Sequence, residues 1–218
     1  DMESFSREDA LAMISRVCQD NHKDMHEQVI DALLTKERNG KYACESPLWL
    51  NLATTFLFTL DADDFREIRT RKEEDNEDKI LQYQLEIVSQ FPKNSGELFL
   101  LLLNRASEDF GNILTNKSFQ YIALTRQGLR ESDLSALIGE EWDELKFSNL
   151  RRWFRPLMVE QGEGKQWYFG HNKLVEALRD TLSYNAQKMH RDIANHFLAL
   201  PDTDVLRTQE IMYHMMYG

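Results

Sequence analysis

Residues 157–169, LMVEQGEGKQWYF, decide the fold of this chain. Two short apolar runs, LMV and WYF, flank Gly162 and Gly164. Apolar runs on either side of a glycine-bearing turn specify a β-hairpin. Three helical patterns stand upstream: TNKSFQYIALTR, RESDLSALIG after a QGL turn, and EEWDELKFSNLRRWFRP, which Pro156 ends. Three helices followed by a hairpin is the order of a winged helix-turn-helix. Behind the hairpin, HNKLVEALRDTL opens a further helix straight after the aromatic run, with His171 at its first turn.

Working towards the N-terminus, the patterns are helical. SREDALAMISRVCQD carries a capping signal at Ser6 and Asp9, followed by apolar residues at helical spacing. DMHEQVIDALLTK is a second helix with Asp24 as its cap, and ERNGKYACE is a loop. SPLWLNLATTFLFTL has the clearest start, with Ser46 at the cap and Pro47 at the first helical position. KILQYQLEIVSQF and SGELFLLLLNRASEDFG follow, closed by Pro92 and Gly111. The charge-rich stretch between them and SPLWL, DADDFREIRTRKEEDNED, is a solvated bridge. Towards the C-terminus, QKMHRDIANHFLAL and VLRTQEIMYHMMYG form a helical pair. The expected fold is therefore mainly α. A helical bundle occupies 1–111, a winged helix 112–182, and a C-terminal helical, repeat-type region begins at 183–218.

Composition narrows the function. The chain has 218 residues, 9 glycines and 4 prolines, a scarcity that favours helices. A net charge of −11 opposes nucleic-acid binding by the chain as a whole. Cys18 and Cys44 are too few for a disulfide scaffold and suit a reducing, cytoplasmic setting. No signal peptide opens the sequence, and no apolar run approaches the roughly 18 residues of a membrane span. The start at Asp1 and the end inside a helical pattern suggest a piece of a longer protein.

No catalytic constellation is legible, and an enzyme activity of these residues alone is not expected. GEGKQ lacks the spacing and the hydroxyl of a phosphate-binding loop. FLFTLDADD imitates an acidic Walker strand but lies on the helix that Ser46 starts, and Asp61, Asp63 and Asp64 lack the glycine and distal glutamate of a calcium loop. No metal site emerges: His22 and His26 have no third ligand nearby, His190 and His196 do not share a helical face, and His214 is isolated. One basic face stands out, Lys146, Arg151, Arg152 and Arg155, interleaved with Phe147, Leu150, Trp153 and Phe154. It supports an alternative, a winged-helix DNA-binding transcription regulator with a helical sensing domain.

The order of parts resembles the STAND-class signalling NTPases of NACHT or NB-ARC type. The parts are SPLWL in a bundle, GLRESDLSALIG and LRRWFRPLMVE in a winged helix, WYFGHNKLVEAL, then HRDIANHFL. The likeness covers nearly the whole chain and corresponds to the helical lid and winged helix without the P-loop domain. It implies two nucleotide contacts. Pro47 in ESPLWL matches the lid proline that packs on adenine in the family, with Glu45 where the family often has glycine. Gly170, His171 and Asn172 match the MHD-type motif whose histidine meets the ADP β-phosphate, with asparagine in place of the acid. The resemblance further implies ADP or ATP in the full-length protein and none in these residues alone. As partners it implies the protein's own N-terminal P-loop NTPase domain, a C-terminal repeat array, and self-oligomerisation on activation. Nucleic acid and membrane are not among them.

Overall fold

The computed structural model describes residues 5–38, 40–61, 64, 76–162, 164–182 and 185–218. Asp63, most of the charged bridge, and Ser183 lie outside the described residues. The described chain is mainly helical with short antiparallel hairpins. It packs as two compact units, residues 1–98 and 99–218.

The first unit opens with α1, Arg7–Asn21, whose Ser6 and Asp9 form a full capping box. Helix α2 is Glu27–Leu34, and its cap is His26 rather than Asp24, because the His26 Nδ1 accepts the Gln28 amide at 3.2 Å. The stretch read as a loop holds a two-residue hairpin, β1 Glu37–Arg38 with β2 Lys41–Tyr42, and a 3-10 turn at Ala43–Glu45. Helix α3, Pro47–Phe58, starts as the sequence dictates. It is apolar almost all round and buries residues on every face, as a central core helix must. This places residues 56–58 of the Walker-like stretch in helix, with Thr59 as the C-cap. Helix α4 is Asn76–Gln90 and α5 is Ser95–Phe110. Trp49 is fully buried and donates its ring N–H to the Pro92 carbonyl at 2.8 Å. Lys36 reaches the C-terminal carbonyls of α4 at Val88, 2.8 Å, and Ser89, where a cation complements the helix dipole.

The second unit begins inside α5, at Phe99. Phe99 sits in the middle of an aromatic core with Phe119, Phe154 and Phe169, all buried, with ring centroids 4.7–6.4 Å apart. Gly111, at φ 100°, is a one-residue joint between α5 and α6, Asn112–Leu124, rather than an end of the bundle. Helices α7, Glu131–Ile138, and α8, Glu144–Trp153, follow, then the antiparallel hairpin β3 Met158–Gln161 and β4 Gln166–Phe169. Leu129 adds a single antiparallel bridge to Trp167. That close approach is possible because residue 128 is glycine at φ 76°: a Cβ there would lie 2.3 Å from the Trp167 carbonyl oxygen. Helices α9, Asn172–Thr181, α10, Ala186–Ala199, and α11, Val205–Tyr217, complete the unit. The pair α10–α11 falls within this compact unit. No described helix is long and apolar enough to cross a membrane.

Candidate functional site

His171 occupies the N-cap of α9 in extended backbone, φ −134° and ψ 123°. Its side chain is exposed and caps nothing, and no acid lies in the first turn of the helix. Lys173 stands exposed one position further on from Asn172. The arrangement leaves an unneutralised helix start with a cation beside it, which favours an anion. Gly170 forms the bend after β4 and is also closely packed. Its backbone is not left-handed, its N–H donates to the Leu157 carbonyl at 3.0 Å, and a Cβ would meet Val159 at 3.3 Å.

Pro47 is exposed at the first position of α3, in the first unit, while His171 belongs to the second. Around Pro47 the local polar groups are engaged. Ser46 accepts the Trp49 amide at 3.3 Å and lies 3.5 Å from the Ser95 hydroxyl, and Glu45 accepts the Tyr42 amide at 3.0 Å.

The basic face of α8 divides. Arg151 is spoken for: it pairs with Glu131 at 3.0 Å and stacks over Trp167 and Phe147, 4.7 and 5.5 Å from the ring centres. Lys146, Arg152 and Arg155 are exposed and have no ion-pair partner among the described residues. The N-terminal end of the same helix, however, is acidic, with Glu140, Glu141, Asp143 and Glu144.

A polar cluster that sequence patterning barely hints at lies elsewhere in the second unit. The α10–α11 pair grips the segment joining α6 to α7. Glu210 is fully buried, and its Oε1 accepts the backbone amides of Arg126 and Gln127 at 3.1 and 2.8 Å. Its Oε2 receives His214 Nε2 at 3.2 Å, and His214 meets His190 with Nδ1 atoms 2.8 Å apart. His214, isolated in the sequence, is thus buried and partnered. At the other end, Arg130 spans Asp133 at 2.7 Å and Asp204 at 2.8 Å, and His196 bonds Asp133 at 2.8 Å. Burial alone would raise the Asp133 carboxyl, but the hydrogen bonds from His196 and Arg130 outweigh it and hold the group below the usual carboxylate range. Glu210 with His214, four residues apart, was the one legible hint, since that spacing shares a helical face. A cleft of about 640 Å³ lies beside this grip, lined by amides including Gln127, Gln161 and Gln209. Its charged groups, Arg130 and Asp204, are already paired to each other. Among the described residues, no cluster of three or more His, Cys, Asp or Glu side chains could hold a metal ion. Cys18 and Cys44 are free thiols.

No known family profile, curated protein or solved structure matches this chain.

Proposed function

We propose that this chain is the regulatory lid and winged-helix segment of a STAND-type, NACHT-like NTPase, helping to clasp ADP and coupling nucleotide state to a conformational switch. The observation that carries the reading is His171, exposed and uncapped at a helix start directly behind the hairpin. A histidine there can donate to a phosphate that the helix dipole already attracts. Pro47 supports the reading as an exposed apolar face with no N–H to satisfy, suited to an adenine ring. Exchange of nucleotide in the parent protein would shift a two-state equilibrium. The parent acts in the cytoplasm as an ATPase, with its own P-loop domain, a C-terminal repeat array and further copies of itself as partners; these residues alone do not hydrolyse ATP. An exposed stripe on α11, Val205, Met212, Met215 and Met216, supports continuation of the helical pair into an array.

The DNA-binding alternative is the weaker one. A recognition helix contacts bases through its N-terminal residues, and here that end is acidic while Arg151 is locked to Glu131.

The test is the parent protein with His171→Ala. ADP should leave faster, by about 10- to 100-fold for loss of one charge-assisted hydrogen bond. Retention equal to wild type contradicts the assignment. An ATPase rate for the 218-residue chain well above buffer would sink the claim that it is regulatory only.

A further inference from the structure

His190 on α10 and His214 on α11 face each other with their Nδ1 atoms 2.8 Å apart. A hydrogen bond between two imidazole nitrogens holds one proton: one ring presents N–H, the other a bare lone pair. His214 also donates Nε2–H to Glu210, whose other oxygen holds the amides of Arg126 and Gln127. The two rings can carry two or three protons without breaking this chain. With two, His214 donates to Glu210, His190 donates to the His214 Nδ1, and the outer nitrogen of His190 is bare. A third proton fits on that outer nitrogen. A fourth puts N–H on both Nδ1 atoms, and the 2.8 Å contact becomes repulsive.

We propose that Glu210, His214 and His190 form a proton-operated latch. The α10–α11 pair holds the turn at Arg126 and Gln127 while the imidazoles share one Nδ1 proton, and loosens it when both rings are charged.

The surroundings oppose the second charge. Arg179, on α9, lies close enough to disfavour a cation on His190. The Arg126 guanidinium lies over the Tyr213 ring at 4.9 Å and 3.9 Å from the Glu210 carboxylate. Tyr217 flanks His190 at 5.5 Å between ring centres. Asp192, the acid on α10, engages the Tyr121 hydroxyl at 3.4 Å and has no hydrogen bond to either ring. Burial first, then the charges of His214 and Arg179, push His190 from an ordinary 6.5 down to about 4. The folded value lies below the unfolded one, so the opened state binds more protons between them. The latched state therefore loses ground as pH falls from 6.5 towards 4, and loses no more below that.

The experiment is amide hydrogen exchange on the full 218-residue chain, comparing Arg126 and Gln127 at pH 7 and pH 4.5 after correction for intrinsic rates. Wild type should lose about fifty-fold in protection, the ratio that linkage gives for this shift. His190→Gln keeps an amide N–H for the His214 Nδ1 but cannot charge, so its loss should shrink to a few-fold. Equal protection at both pH values in wild type, or an undiminished loss in His190→Gln, overturns the latch. If that variant does not fold, the ring-nitrogen NMR titration of wild type decides. Two coupled steps, the second well below the usual histidine range, support the latch; two independent ordinary titrations overturn it.

Discussion

The chain begins two of its helices in opposite ways. Helix α3 starts at Ser46 and Pro47 with everything committed. The serine caps Trp49, proline fixes the first turn, and the helix behind is buried on nearly all sides. Helix α9 starts at His171 and Asn172 with its cap position filled by a side chain that bonds nothing. A capped start is a stability device, because it satisfies orphan amides. An uncapped one with no acid nearby leaves amides and dipole available to something else. The contrast separates the two residues that the resemblance joins: Pro47 has a sufficient structural role, and His171 has none that its side chain contacts reveal.

That contrast can be broken at either end. The largest effect should come from Trp49→Ala, which removes a fully buried ring and the bond to Pro92. Chemical denaturation should show a loss of about 3–5 kcal/mol; a loss under about 1 kcal/mol would mean α3 is not the core of its unit. In the second unit, Gly128→Ala forces a Cβ against the Trp167 carbonyl at a left-handed φ. It should cost about 2 kcal/mol or more in the same measurement, and a neutral result would show that the Leu129–Trp167 bridge gives way freely. Ser46→Ala should lower stability by about 1 kcal/mol through the lost cap. His171→Asp should do the reverse, adding about 0.5–1 kcal/mol by supplying the missing cap. If His171→Asp destabilises instead, the histidine has a structural role and the comparison collapses.

How far the sequence could be read differs between the same two regions. The α3 start was legible because serine, proline and an apolar run carry local signals that no distant contact overrides. The hairpin was legible for the same reason, with Gly162 at φ 74° and apolar runs on both sides. The unit boundary was not. Gly111 reads as a stop, yet Phe99 already belongs to the second core, and only packing reveals which core a helix residue joins. The close packing of Gly170 was not legible either, since it depends on Val159 across the hairpin. The grip of Glu210, His190 and His196 on the 126–133 segment was legible only in the Glu210–His214 spacing, since its partners come from three helices and a turn. Two-residue strands such as β1 and β2 carry too little pattern to announce themselves.

The most direct test of the account is the rate at which the parent protein releases ADP with and without His171→Ala, read beside the stability of both forms. The account predicts faster release of about 10- to 100-fold with stability unchanged, because the exposed side chain makes no capping hydrogen bond in the fold and should meet the phosphate. Release at the wild-type rate, with equal stability, would contradict it.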